Sequence, residues 1–263
     1  MKKLIYLTAT SFVILFSSCL DTEEKISINN DGSGTYVMTM DMAKMMSMLS
    51  AFGGDEKKQE KKDTVIYFKD FTDTSTTLTA EEKEMLHDGK AAINMDSENG
   101  VFKIELDAAF KNYDQLAYLR NNFQSMIEKT KAMDKLEPKK QTQEADSTML
   151  LPQPKINAGK AGSNPFKEYF EFKVSARSIE YRVKDKAAAM KAMNENEDLQ
   201  TIKKMAPMMG DMTFASVIEL PHAAKKVEGL NAKLSPDKKT VTIKTTLNDI
   251  IKNLDAMAFR VEY

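Results

Sequence analysis

The sequence repeats one pattern four times: two short stretches of alternating apolar residues, joined by a turn and followed by helical sequence. In the first copy, Ile26 and Ile28 lie before an Asn-Asp-Gly-Ser-Gly turn. Tyr36, Met38 and Met40 lie after it. Alternation with a period of two predicts strands, and a turn rich in Gly and Asn predicts a hairpin. This pattern constrains the fold because each hairpin has one apolar face that another element must cover.

The later copies extend the same prediction to the rest of the chain. Predicted strands lie at Ala91–Met95, Phe102–Leu106, Phe170–Val174, Ile179–Val183, Thr213–Leu220, around Val241 and Ile243, and at Ala258–Tyr263. Asp107 is expected to close the strand before it. Helical sequence follows at Asn112–Ala132, Lys184–Met205 and Leu247–Leu254, the first with an apolar stripe at Leu116, Leu119, Phe123, Met126 and Ile127. The sequence therefore predicts an α+β fold, with repeated hairpin-plus-helix units that form antiparallel sheets covered by helices.

Two polar stretches interrupt these units. Gly53–Asp63 reads GGDEKKQEKKD and is predicted to be a charged loop. Lys135–Pro165 contains four prolines and almost no periodic apolar pattern, so it is predicted to be a disordered linker. The boundaries that follow are an N-terminal half at 25–133, a linker at 134–165 and a C-terminal half at 166–263, as two sub-domains.

The N-terminus has the features of an export signal. Met1-Lys2-Lys3 is positively charged, Leu4–Phe16 is apolar, and Ser17 and Ser18 are small residues directly before Cys19. Phe16-Ser17-Ser18-Cys19 resembles the bacterial lipobox, which implies cleavage after residue 18 and acylation of the Cys19 thiol. Cys19 is the single cysteine of the chain, so no internal disulfide is available to it. The resemblance implies a membrane partner, reached through acyl chains on Cys19.

The acidic run Asp21-Thr22-Glu23-Glu24 follows the cysteine and leaves two interpretations open. One is a solvated tether over 19–24 between the lipid and the folded body. The other is an address, because such a run resembles the surface-export signal of Bacteroidetes lipoproteins. Both interpretations predict a cell-envelope protein that is lipid-anchored to the outer membrane, on its periplasmic or surface face.

Charge and composition exclude some function classes. Without residues 1–18 the chain has 36 basic and 39 acidic side chains, a net charge of −3, which is not typical of a nucleic-acid-binding protein. The only histidines are His87 and His222, and no nucleophile elbow, zinc-protease helix or phosphate-binding loop is present. We therefore expect no enzymatic activity, no catalytic residue and no cofactor.

Methionine is the conspicuous residue type, with 19 in the chain. Met42, Met45 and Met46 share one predicted helical face, directly after the first hairpin. Three interpretations stay open: core packing, an apolar binding groove, and a Cu(I) site, because thioethers are soft ligands. If there is a groove, we expect it between this helix and the hairpin face that carries Val37.

Short motifs in the body resemble a loosely defined set of bacterial lipoproteins that includes the LppM-like domain. They are the Asp31-Gly32-Ser33-Gly34 turn, the strand closed by Asp41, and the Ile218–Pro221 strand end. The resemblance implies an α+β module associated with lipid binding. The sequence thus predicts a membrane-anchored envelope lipoprotein that acts as a non-enzymatic binding or structural module for an envelope protein or apolar ligand. The alternative is a methionine-rich copper-handling protein of the periplasm or surface.

Overall fold

The computed structural model describes residues 21–43, 61–96, 98–132, 169–195, 200 and 212–263 of the chain. Within these ranges the chain has an α+β fold with two sheets, which confirms the predicted fold class. The strands are β1 (Asp21–Ile28), β2 (Gly34–Asp41), β3 (Lys62–Tyr67), β4 (Lys90–Asp96), β5 (Val101–Phe110), β6 (Phe170–Ser175), β7 (Ser178–Val183), β8 (Thr213–Glu219), β9 (Lys226–Glu228), β10 (Ala232–Leu234), β11 (Thr240–Thr246) and β12 (Phe259–Glu262). The helices are α1 (Lys69–Thr72), α2 (Ala80–His87), α3 (Tyr113–Thr130), α4 (Lys186–Glu195) and α5 (Leu247–Lys252), and a 3₁₀ turn follows at Leu254–Met257.

The larger sheet has eight strands in the order β10-β11-β8-β1-β2-β5-β4-β3. Its neighbouring strands are antiparallel except β1 and β8, which are parallel. The smaller sheet has the order β6-β7-β12-β9 and is antiparallel. Helix α3 lies between the sheets, because it contacts β2 and β5 of the large sheet and β6 of the small one.

The sheets do not divide where the predicted linker lies. The large sheet takes β1–β5 from the first predicted half and β8, β10 and β11 from the second. The fourth repeat is split, since β9 and β12 join the small sheet instead. The whole of the predicted linker, 134–165, lies outside the described residues. The parallel pairing of β1 with β8 therefore brings strands of both predicted halves into one sheet.

The first hairpin forms as the sequence predicts. Gly32 has a positive φ of 84°, and the Asn29 N–H donates to the Ser33 carbonyl at 2.8 Å across the turn. A Cβ atom at Gly32 would approach the Tyr113 ring to 2.9 Å. Glycine is thus required both by the backbone conformation and by the first turn of α3, which packs against the hairpin.

Strand β5 is longer than the sequence interpretation allowed. Asp107 does not close it, because the inward alternation of Ile104 and Leu106 continues through Ala108 to Phe110. The Asp107 carboxylate lies on the opposite face and accepts from the backbone N–H of Lys90 at 3.0 Å. Asp107 thus occupies the partly exposed side of an alternating strand and is not an end signal.

The acidic run after the cysteine is not a tether in the described structure. Asp21 is the first residue of β1, and all four residues Asp21–Glu24 pair with β2 on one side and β8 on the other. The predicted 19–24 tether is therefore wrong from residue 21 onward, while residues 19 and 20 lie outside the described ranges. The predicted charged loop is likewise shortened, because Lys62 and Asp63 begin β3.

Helix α3 agrees closely with the predicted Asn112–Ala132. The Asn112 side chain accepts from the Gln115 backbone N–H, which is the usual way an N-cap satisfies a free amide. The helix ends at Lys131, which has the left-handed conformation with φ 55°. Its predicted apolar stripe is buried, at Leu116, Leu119, Phe123, Met126 and Ile127. This helix contacts both sheets, as does the 3₁₀ turn at Leu254–Met257.

Candidate functional site

The most unusual group of side chains lies where β1, α3 and the small sheet meet. Glu24 is on the inward face of the large sheet, and its side chain is 14% exposed. Its strand neighbours are Met38 on β2 and Ser216 on β8. Arg120 reaches it from α3, 96 residues further along the chain, and is 8% exposed. Two opposite charges therefore meet in the core.

The carboxylate of Glu24 is held by hydrogen bonds on both oxygens. The guanidinium of Arg120 donates from Nη2 to Oε1 at 2.6 Å and from Nε to Oε2 at 2.9 Å, a bidentate arrangement. The Ser216 hydroxyl donates to Oε1 at 2.5 Å, and the Tyr36 hydroxyl donates to Oε2 at 3.3 Å. Four donor contacts match the acceptor capacity of a carboxylate, which leaves little room for an added ligand.

Aromatic rings of the small sheet complete the surroundings of Arg120. The guanidinium carbon lies 4.4 Å from the Phe172 ring centroid and 4.0 Å from that of Tyr181, close enough for cation–π interaction with both. Tyr181 in turn stacks on Phe170 at 4.7 Å. Arg120 is thus bonded to the large sheet through Glu24 and packed on the small sheet through aromatic rings.

The ionisation of the group follows from this geometry. Burial would raise the pKa of the Glu24 carboxyl, but the charge and hydrogen bonds of Arg120 outweigh burial and lower that pKa. Burial and the nearby Glu24 carboxylate raise the pKa of the Tyr36 hydroxyl well above its usual value. Glu24 is therefore ionised and Tyr36 is neutral at pH 7, and the group is a satisfied ion pair.

Sequence reasoning missed this pair, although a signal for it was present. Glu24 falls on the same alternating face as Ile26 and Ile28, where an apolar residue is expected. Arg120 falls on the helical stripe four residues after Leu116 and three before Phe123. Opposite charges on two apolar faces that pack together indicate a buried ion pair.

The predicted lipidation site and two of the three candidate methionines cannot be placed. Cys19, Met45 and Met46 lie outside the described residues. Met42 is 4% exposed within the apolar core, and its backbone N–H donates to the Phe102 carbonyl at 2.8 Å. This environment favours core packing over a ligand role for Met42.

The hairpin face on which a groove was predicted is polar on either side of Val37. Val37 is half-buried, and its cross-strand neighbours are Lys25 on β1 and Asp107 on β5. The helix that would form the other wall lies outside the described residues beyond Ala43. The predicted groove therefore stays a prediction.

The two histidines do not contribute to a shared site. His87 is exposed at the end of α2 beside Asp88, and His222 is exposed after Pro221. Within the described ranges, no three His, Cys, Asp or Glu side chains come together in a way that could hold a metal ion. Among the same residues, no helix has both the length and the apolar character needed to cross a membrane.

Comparisons with models of known protein families, with curated proteins and with solved structures found no match to this chain. The resemblances to the lipobox and to LppM-like domains therefore stay predictions made from short motifs.

Proposed function

We propose that this protein is an envelope lipoprotein whose α+β body is a non-enzymatic binding or structural module. Its signal is cleaved before Cys19, the Cys19 thiol is acylated, and the acyl chains hold the body at the outer membrane. Two or three chains give firm anchoring, because each buried methylene contributes about 0.8 kcal/mol and a single chain binds only marginally.

The observation that carries the proposal is the position of strand β1 relative to Cys19. A lipobox cysteine becomes the first residue of the mature protein. Strand β1 begins at Asp21, two residues after Cys19, and it is an interior strand of the large sheet between β2 and β8. An interior strand that is already paired on both sides at Asp21 supports a mature body that lies directly next to the lipidated cysteine.

The buried polar group supports a structural role for the centre of the body. The carboxylate of Glu24 and the guanidinium of Arg120 are occupied by each other and by neighbouring side chains. Catalytic acids and bases need access to a substrate proton, whereas this pair joins the two sheets. The geometry therefore favours a module that binds its partners through its surface, with the buried charges serving the structure of the core.

Metabolic labelling with palmitate tests the anchor. The wild type should incorporate label into a membrane-bound protein, and Cys19→Ala should lose the label and accumulate as an uncleaved precursor. Ser17→Ala is the matched control, because it changes the neighbouring lipobox position but keeps a small residue there. Equal label in the wild type and in Cys19→Ala would contradict the proposal.

Membrane fractionation and surface proteolysis test the location. The lipidated protein should sediment with outer-membrane markers. In the folded protein only Asp21 and Glu23 of the acidic run remain exposed, because Glu24 is bonded in the core. If the run is an export address, Asp21→Asn/Glu23→Gln should reduce protease access from outside intact cells. Glu105→Gln, on the same sheet face, is the control and should leave access unchanged.

A further inference from the structure

One end of the large sheet is fixed close to the anchor by the length of chain available. Asp21 is two positions after Cys19, and a chain spans at most about 3.6 Å per residue, so the Cys19 Cα lies within about 7 Å of the Asp21 Cα. Asp21 pairs with Asp41 at the end of β2 and with Thr213 at the start of β8. These three residues define what is called here the anchor end of the sheet.

The β4–β5 hairpin extends beyond this end. Asp41 pairs with Lys103 of β5, so Val101 is two residues, or about 7 Å, further along the strand direction. Val101 pairs with Asp96 beside the hairpin turn and is 38% exposed. The hairpin therefore reaches as far beyond the Asp21 row as Cys19 is able to reach.

The chemistry of the anchor end fits a lipid headgroup layer. Val101 is an exposed apolar residue, and Phe102, Met212 and Phe214 nearby are only partly buried. Asp41 and Lys103 are cross-strand neighbours of opposite charge in the last row. Apolar side chains among charges of both signs suit an interface where zwitterionic headgroups meet acyl chains.

We infer that the anchor end of the large sheet rests on the bilayer that holds Cys19, with the β4–β5 hairpin contacting the lipid headgroups through Val101. This inference rests on the proposed lipidation. The occupant is the bilayer because the Cys19 Cα lies within about 7 Å of the Asp21 Cα, so the acyl chains on Cys19 keep the bilayer next to this end of the sheet at an effective concentration that a free partner cannot match. The strands then point away from the membrane.

Site-specific fluorescence tests this orientation in the full lipidated chain. Because Cys19 is the single cysteine and its thiol is acylated in the proposal, an introduced cysteine is the only group that a thiol-reactive fluorophore can label. Val101→Cys places the probe at the anchor end. Leu234→Cys is the matched control, since Leu234 is also 38% exposed. Leu234 pairs with Val241 of β11, Val241 pairs with Ile218 of β8, and Ile218 pairs with Ile26 of β1. Ile26 is five residues, or about 16 Å, from Asp21 along β1, so Leu234 is that far from the anchor end.

Both labelled variants are reconstituted into phosphatidylcholine vesicles that contain a lipid with a spin-labelled headgroup. The expected result is loss of most of the fluorescence at position 101 and little loss at position 234. Equal quenching at both positions, or none at position 101, would overturn the inference. Failure of the proposed function gives a different result: wild-type protein would itself take up the fluorophore on a free Cys19, and it would not float with the vesicles.

Discussion

Helix α3 supplies a cation to each of two buried carboxylates, and the two cations differ in their exposure to water. Near its middle, Arg120 pairs with Glu24 of β1. At its end, Lys129 donates to Glu82 of α2 at 2.6 Å. Both carboxylates are buried and hydrogen-bonded, and each pairs with a basic residue of α3. By residue type alone the two sites therefore look alike. They join different parts of the fold, since the first connects two sheets and the second connects two helices.

The cations themselves explain the difference. Arg120 is planar, bonds the Glu24 carboxylate with two nitrogens, and is covered by Phe172 and Tyr181. Lys129 is a point charge with its side chain 34% exposed. Glu82 also accepts from the Thr79 N–H of its own helix cap and from the Tyr118 hydroxyl. Water can reach the position of the partly exposed Lys129 ammonium, whereas the Arg120 guanidinium is covered by the Phe172 and Tyr181 rings.

The largest expected effect is therefore removal of Arg120. Arg120→Met leaves the Glu24 carboxylate buried without a counter-charge and should lower the free energy of unfolding by about 3–5 kcal/mol. Lys129→Met should lower it by less, about 1–2 kcal/mol, because the Lys129 side chain is itself partly exposed and water can reach the position that it leaves. Urea unfolding followed by far-ultraviolet circular dichroism measures both, since the chain has no tryptophan. Similar losses in the two variants would refute the distinction drawn between the sites.

Removal of both charges at the first site should restore much of that loss. In Glu24→Met/Arg120→Met no unpaired charge remains, and apolar replacement of a buried pair is often neutral for stability. The hydroxyls of Ser216 and Tyr36 lose their acceptor, which offsets part of the recovery. A double-mutant cycle should give a coupling energy of about 2–3 kcal/mol. Additive single effects would show that the pair is not a unit.

The same comparison explains how much of the fold could be predicted from sequence. Local patterns were informative: the Gly32 turn fixed the first hairpin, and the Leu116 to Ile127 stripe fixed helix α3. The parallel pairing of β1 with β8 could not be predicted, because it joins residues about 190 positions apart. The sequence of neither strand indicates which other strand it pairs with. The split of the last repeat between two sheets depends on that pairing.

The candidate site was missed for the same reason. Glu24 stands in an acidic run after an export signal, where a solvated tether is the ordinary interpretation. Its environment is set by Arg120 and Ser216, both of which reach it only through long-range packing. Each charge on an apolar face was visible in the sequence, but the packing of the two faces against each other was not. The lipidation of Cys19 and the roles of Met45 and Met46 stay predictions.

A smaller effect is expected from single hydroxyl groups at the two sites. Ser216→Ala removes a donor to the Glu24 carboxylate in the core and should cost about 1.5–3 kcal/mol, as expected for a hydrogen bond to a buried charge. Tyr118→Phe removes the equivalent donor to the buried Glu82 carboxylate and should cost less, about 1 kcal/mol, because Tyr118 is itself 37% exposed and water can take the place of its hydroxyl. Thermal melting of both variants provides the measurement. A larger loss for Tyr118→Phe would reverse the ranking of the sites.

The smallest expected effect is on the acid dependence of stability. The folded-state pKa of Glu24 is lowered from its ordinary value of 4.5, because Arg120 and its hydrogen bonds outweigh burial. Below pH 4.5 the unfolded chain therefore binds more protons than the folded chain at this carboxyl. The stabilisation from Glu24 is fully present above pH 4.5 and is lost as the pH falls through the lower folded-state pKa.

The pKa of Glu82 is also lowered, with Lys129 and the Thr79 N–H outweighing burial, so the wild type loses stability in acid at both sites. The variant Glu24→Met/Arg120→Met keeps the Glu82 contribution and lacks the Glu24 one. Its unfolding free energy should fall less steeply below pH 4.5 than that of the wild type, by at most about 1.4 kcal/mol per pH unit for one carboxyl. Urea unfolding at a series of pH values gives both slopes. Parallel curves would mean that the Glu24 carboxyl titrates alike in the folded and unfolded chains, and that the charge of Arg120 is not what keeps it ionised.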